Sequence, residues 1–240
     1  MGLSCRFCQA ENLTKILDLG KMPLAGGFLK EQDFENEKLY PLELYECQDC
    51  GLVQVGEIPK EQKELFTNTL FRSSTSKTVI KHFKEIAKEL KGYKTVLEIG
   101  CNDGVLIKPL EKLGVFAIGI DPNINDYFTE QLAKELKSRY GQVDAIVSSY
   151  TLSHIDNVLD VMRGIKLLLK DEGILIIESY FLDIDNLQYD MIYHEHAIYL
   201  SLKPMVKFLE RFGMEIFDIK FMPEFRSGCM RYYIRNKRNW

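Results

Sequence analysis

Apolar and polar positions change their spacing twice along this chain. From Ser76 to Leu90 the apolar residues Val79, Ile80, Phe83, Ile86, Ala87 and Leu90 recur at steps of three to four, the stripe of a helix that buries one face. Beyond it come short apolar runs, Thr95 to Gly100, Val115 to Ile120, Asp144 to Tyr150 and Gly173 to Glu178. Helix-like spacing over Val105 to Leu113, Thr129 to Arg139 and Val158 to Leu169 separates them. Strands alternating with helices predict an α/β fold on a parallel sheet. A helix over Lys203 to Phe212 and strands near Met214 to Phe221 and Met230 to Ile234 are expected to close the chain.

The first 55 residues show no sustained helical period and carry turn signals at Met22-Pro23-Leu24-Ala25-Gly26-Gly27 and Tyr40-Pro41. They read as a small, loop-rich module that needs a staple. The expected organisation is therefore a module over 1–55, a linker with a bridging helix over 56–92, and an α/β domain over 93–240. His82, on the bridging helix, is expected at a boundary or on the surface.

Composition narrows the classes of function. The chain has 240 residues, 46% of them hydrophobic, enough for a sizeable core. Its 31 Lys plus Arg against 35 Asp plus Glu give a net charge of −4, which offers no footprint for nucleic acid or an anionic membrane. There is no apolar run long enough to span a bilayer, and the start Met1-Gly2-Leu3-Ser4-Cys5-Arg6 lacks a hydrophobic signal region. A soluble, cytoplasmic protein is expected.

Six cysteines are too few for a disulfide scaffold, and four of them form two close pairs, Cys5-x-x-Cys8 and Cys47-x-x-Cys50, the second followed by Gly51. Four thiolates suit tetrahedral zinc and leave no open position for water, so a structural metal is expected. A redox dithiol, the competing reading, needs only one pair. Cys101 and Cys229 read as packed thiols.

Val96-Leu97-Glu98-Ile99-Gly100-Cys101-Asn102-Asp103-Gly104 is a strand end with an acid, a glycine turn and the start of a helix. A pyrophosphate fingerprint wants a third glycine and no acid in the loop. Glu98 and Asp103 would instead attract a cationic sulfonium bearing an ammonium group, which points to S-adenosylmethionine. Asp121 ends the next strand, 23 residues after Glu98, where an acid can take ribose hydroxyls. The bland alternative is that Gly100 and Gly104 only turn the chain and Asp121 caps a helix.

Of four histidines, two fall in Tyr193-His194-Glu195-His196 and a third, His154, follows a neighbouring strand. Both segments are expected at the sheet edge that carries the glycine loop. A histidine oriented by a carboxylate suits general-base work, and a tyrosine hydroxyl can donate to a developing oxyanion. Metal binding by His154, His194 and His196, or plain structural hydrogen bonding, are the alternatives.

These stretches, with Pro23-Leu24-Ala25, Tyr40-Pro41-Leu42, Ser73-Ser74, Ser76 before His82, and Gly228 with Arg231, resemble the zinc-binding, S-adenosylmethionine-dependent sugar C-methyltransferases that act on nucleotide-linked deoxyketosugars. The resemblance runs along nearly the whole chain. It implies a class I methyltransferase, Rossmann-like sheet with a small N-terminal zinc-binding module. It also implies that His196 removes the proton alpha to the sugar ketone, that Tyr193 and Glu195 assist, that His154 lines the same pocket, and that His194 belongs to the catalytic set. Glu98, Gly100, Asn102, Asp103, Gly104 and Asp121 would hold the cofactor, and Cys5, Cys8, Cys47 and Cys50 the zinc. A nucleotide-linked sugar is the implied partner. The family fits a further strand between Asp121 and Asp144, but the 22 residues available here are nearly used by one helix. A shortened sheet edge is therefore expected, with Tyr127 and Phe128 either covering the adenine or packing in the core. The family also continues beyond the equivalent of Trp240, and Arg231, Arg235, Lys237 and Arg238 are candidates to meet a diphosphate or simply to be solvated. Other readings are a methyltransferase for another small molecule and a non-catalytic binding module.

Overall fold

The computed structural model describes residues 2–67, 70–124, 126–180, 189–225 and 228–237. In the N-terminal part β1 (Leu13–Met22), β2 (Tyr40–Cys47) and β3 (Val53–Val55) form an antiparallel sheet, followed by α1 (Gln62–Thr67) and α2 (Lys77–Glu89). Strands and helices then alternate: β4 (Thr95–Ile99), α3 (Ile107–Lys112), β5 (Phe116–Ile120), α4 (Glu130–Tyr140), β6 (Val143–Ser149), α5 (Val158–Leu168) and β7 (Leu169–Tyr180). The two-residue β8 (Ile198–Tyr199), α6 (Leu202–Glu210), β9 (Met214–Met222) and β10 (Cys229–Asn236) complete the order.

The main sheet runs β5-β4-β6-β7-β10-β9, parallel through β7 and antiparallel across β10. This mixed α/β sheet matches the expected fold class. Val79, Phe83 and Ile86 of α2, Leu90 just after it and Leu110 of α3 pack on one face against Val96, Ala145, Val147 and Ile176. Ala133 of α4, Ile165 of α5 and Phe208 of α6 belong to the core on the other face, with Leu97, Ile146, Leu175 and Ile177. Among the described residues β5 is an edge strand, with nothing beyond it. Ser76 accepts from the Val79 amide to start α2, as Thr129 does from Leu132 for α4.

The N-terminal part is more ordered than its loop-rich sequence suggests. Most of β1 faces solvent, so its apolar positions never build a period that a sequence pattern can register. The fourth strand of its sheet is β8, from the far end of the chain, paired with β3 through Val53 with Tyr199 and Gln54 with Ile198. Phe7 stacks on Phe208 of α6 at 3.9 Å, and Lys207 and Arg211 donate to the carbonyls of Asp49 and Phe7. Cysteines and α6 thus share one core.

His82 is not a surface residue: it lies in the interior of the α2 face, bonded to Glu178 and stacked on Phe225 at 4.0 Å. Among the described residues no helix is long and apolar enough to cross a membrane.

Candidate functional site

The four thiols converge. Ligand atoms of Cys5, Cys8, Cys47 and Cys50 all lie within 4.8 Å of one another, with Cys5 to Cys50 and Cys8 to Cys47 at 3.5 Å. Sulfurs bonded to one tetrahedral zinc at ~2.3 Å stand about 3.8 Å apart, so the donor set fits zinc with little adjustment. Each knuckle is closed by backbone: Gln9 donates to the Cys5 carbonyl and Gly51, at φ +84°, to that of Cys47. Burial holds the metal-free Cys5 thiol up at about 11, and Cys50 is raised further for the same reason. A cation would remove that penalty by stabilising the thiolates.

The glycine loop lies at the carboxyl end of β4, where the strand order reverses and doubly wound sheets bind their ligands. Gly100 sits at φ +81°, and a Cβ there would overlap the Thr151 hydroxyl. A side chain is excluded on both counts. Gly104 has φ +78°. Asn102, itself left-handed at φ +48°, donates its amide to Asp121 Oδ2 at 2.9 Å. Its side chain grips the segment ahead of α2, accepting from the Ser73 amide and donating to the Phe71 carbonyl, while Asp103 accepts from the Ser74 amide. Asp121 also accepts the backbone and side-chain N–H of Asn123. Glu98 is buried, and its Oε2 has no hydrogen-bond partner. Burial first, then Asp121, Glu178 and Asp103, raise it well above the usual carboxylate range.

Tyr127 stands half out in solvent near Asp121, whose charge adds to burial in raising the phenol. Phe128 does not wall this site. It packs between α4 and α5, where a Cβ at Gly164 would come within 3.0 Å of its ring. The close helix approach at Gly164 makes the slot it fills.

The histidine string is divided by the direction of its side chains. His196 Nδ1–H donates to the Met191 carbonyl at 2.8 Å, so Nε2 carries the lone pair and accepts from the Tyr193 hydroxyl at 2.8 Å. His154 likewise donates Nδ1–H to the Glu195 carbonyl at 2.7 Å, and its ring lies 4.9 Å from that of His196. Burial, then the nearby His154, pushes His196 down to about 3, which keeps it neutral. Tyr180 covers the His196 ring at 4.9 Å. Glu195 and His194 turn the other way. Glu195 Oε1 accepts from the Gly26 amide at 2.7 Å, and His194 donates to the Pro41 carbonyl with Tyr40 against its ring. His194 therefore anchors the string to the N-terminal sheet and does not join the His154–His196 pair; a metal shared by the three histidines has no geometry here.

Three groups beside this site have no local sequence signal. Glu178, wholly buried at the end of β7, meets Nε2 of His82 at 2.9 Å and accepts Nε–H of Arg231 at 2.7 Å. Arg231 donates onward to Glu89 and Tyr233. It is only 1% exposed, so it is an interior ion-pair partner and not an open diphosphate ligand. Arg235 pairs with Glu215 and Lys237 with Glu210, while Arg238 lies outside the described residues.

Residues 71–218 match the family described as "Methyltransferase domain", and residues 5–66 the one described as "Putative zinc binding domain". The chain is 26% identical over 238 residues to C-methyltransferase NovU of Streptomyces niveus, covering 90% of this chain and 56% of that protein. It is 30% identical over 127 residues to the mitochondrial ubiquinone biosynthesis O-methyltransferase of Bos taurus, covering 45% of this chain and 34% of that one. It thus spans about half or less of these relatives. Among solved structures, the 1,6-didemethyltoxoflavin-N1-methyltransferase of Burkholderia thailandensis, determined with S-adenosylhomocysteine, aligns with a TM-score of 0.51 at 14% identity over 69% of this chain and 81% of that one. That likeness is one of fold.

Proposed function

This chain belongs to the methyltransferase-domain family, and from that premise we propose that it is a cytoplasmic, S-adenosylmethionine-dependent C-methyltransferase acting on a nucleotide-linked ketosugar. The supporting observation is a single turn, Thr151 to His154, that touches both halves of the site. Thr151 closes on Gly100 of the glycine loop, and His154 bonds the string that carries His196. The residues fit the cofactor: a left-handed glycine turn at the end of β4, closed against Thr151, and a buried Glu98 oxygen with no partner. When bound, S-adenosylmethionine supplies an electrophilic methyl group.

The chain's own part is to make and hold a carbanion. Neutral His196, its tautomer fixed by Met191, accepts the proton alpha to the ketone at Nε2. An imidazolium there would be costly alone, but it forms together with an enolate of opposite charge in the same dry pocket. The Tyr193 hydroxyl, already 2.8 Å from Nε2, is placed to donate to the enolate oxygen once substrate displaces it from the histidine. Glu195 holds the string through Gly26 and orients His154 through its own carbonyl. Cys5, Cys8, Cys47 and Cys50 would hold a structural zinc that anchors this scaffold.

The similarity to C-methyltransferase NovU favours transfer to carbon. O-methylation of another small molecule is the competing reading, favoured by the match to the ubiquinone enzyme, which is confined to about half of this chain. Calorimetric titration of the zinc-loaded protein with S-adenosylhomocysteine tests the cofactor site without a substrate. Micromolar binding, followed by methyl transfer to a ketosugar nucleotide that is lost in His196→Asn while cofactor binding persists, is the expected result. A folded protein with no affinity for the cofactor would remove the enzyme reading in favour of a binding module.

A further inference from the structure

Four carboxyl groups gather where β4, β5 and β7 end: Glu98, Asp103, Asp121 and Glu178. Glu178 is matched by His82 of α2 and Arg231 of β10. Asp121 accepts three N–H groups from Asn102 and Asn123, and Asp103 takes the Ser74 amide on Oδ2, its Oδ1 being buried without a partner. Glu98 differs. It is 2% exposed, its Oε2 has no hydrogen-bond partner, and among the described residues no Lys, Arg or His forms an ion pair with it. The charged groups that face it are the other three acids, from the glycine loop, the end of β5 and β7, with the neutral thiol of Cys101 beside them.

We propose that Glu98 stands protonated in the empty protein and gives up its proton when the cationic methionyl end of the cofactor arrives, so that cofactor capture is coupled to release of one proton. The inference rests on the cofactor reading of the glycine loop given above. An ionised carboxylate this deep, facing three acids and no cation, costs more free energy than giving up its charge, so it stays neutral. A ligand ammonium supplies the missing partner, and the balance reverses: Glu98–COOH becomes Glu98–COO⁻, the proton passes to solvent, and the ammonium keeps its own. The upward displacement of Glu98 by burial and by Asp121, Glu178 and Asp103 agrees with this order of events.

The test is calorimetric titration of the full chain with S-adenosylhomocysteine from about pH 5 to about pH 8, at each pH in two buffers that both titrate there and differ in ionisation enthalpy, acetate and piperazine at the acidic end, phosphate and Tris above about pH 7. At the acidic end the observed enthalpy is expected to differ between buffers by one released proton. Affinity is expected to rise about tenfold per pH unit and to flatten once Glu98 ionises in the empty protein. Glu98→Gln is expected to abolish both effects. Infrared difference spectra of the unsubstituted protein, losing a protonated-carboxyl band on addition of the ligand, decide the matter if that variant fails to fold. Binding that is flat with pH and independent of buffer overturns the proposal while leaving the cofactor site intact, as does linkage that persists in folded Glu98→Gln. Absence of binding at every pH overturns the cofactor reading and this proposal with it.

Discussion

The Tyr193 hydroxyl donates to Nε2 of His196 at 2.8 Å while the other ring nitrogen of His196 donates to the Met191 carbonyl, so the imidazole is neutral and its lone pair is covered by the tyrosine. A substrate carbon can take that position only by displacing the hydroxyl, which then remains within reach of the developing oxyanion. Tyr193→Phe keeps the ring that packs on His196 and removes the donor. Methyl transfer to a ketosugar nucleotide is expected to fall by about 10²-fold, the scale of one lost oxyanion donor. Affinity for S-adenosylhomocysteine should stay within about twofold, because the hydroxyl that is lost bonds His196 and not the glycine loop. Kinetics and calorimetry on the same preparation check both, and undiminished turnover would remove Tyr193 from the mechanism.

His196 also predicts a pH dependence of stability. Burial, with His154 close by, pushes its folded-state value down to about 3, against ~6.5 in an unfolded chain. A depressed value means that the unfolded state binds the proton first, so its contribution to stability is fully present above about pH 6.5 and is lost as pH falls towards about 3. Urea midpoints should therefore drop progressively below about pH 6, and His196→Asn should have a shallower slope over the same window. Equal slopes in the two proteins would show that another group carries the acid sensitivity.

Where the sequence was legible, the signal was local. The strand, glycine turn and helix around Gly100 are contiguous, and the predicted strands from Thr95 to Glu178 fall on β4 to β7. The paired cysteines announced their cluster through spacing alone. What escaped depends on partners far along the chain. His82 meets Glu178 across 96 residues and Arg231 meets it across 53, so neither reads as interior from its neighbours. Nothing in Tyr193-His194-Glu195-His196 says which side chains turn to the site; that is set by Gly26 and Pro41 on one side and Met191 on the other. Phe128 belongs to the core because Gly164 leaves a slot for it, a fact held by another helix.

The Glu178–Arg231 pair should be among the more costly interactions to break. Both side chains are almost fully shielded, and Arg231 links Glu178 to Glu89. Arg231→Met leaves Glu178 hydrogen-bonded to His82 but without its guanidinium partner, and a loss of about 3–5 kcal/mol is expected. Glu178→Met leaves Arg231 with Glu89 and Tyr233, so its cost should be the smaller of the two. The double substitution should recover part of the sum, giving a coupling energy of at least about 1 kcal/mol in denaturant unfolding. Strict additivity would mean that the two charges do not depend on each other.

Removing the metal tests how far the N-terminal module supports the rest. Its core is continuous with α6 through Phe7 and Phe208, its sheet is completed by β8, and its loop at Gly26 holds Glu195. Without zinc, three buried thiols and the half-buried Cys8 face one another with no cation, which favours opening of the knuckles. Chelation should release one zinc per chain and lower the melting temperature by about 10 °C, as expected for a tightly bound ligand in a protein of this size. Because β8 lies in the module's sheet while the glycine loop lies in the other, methyl transfer should fail at chelator concentrations that still permit S-adenosylhomocysteine binding. Loss of cofactor binding in step with zinc would instead show that the two sheets unfold together, and an unchanged melting temperature in metal-free protein would show that the cysteine cluster does not need the metal.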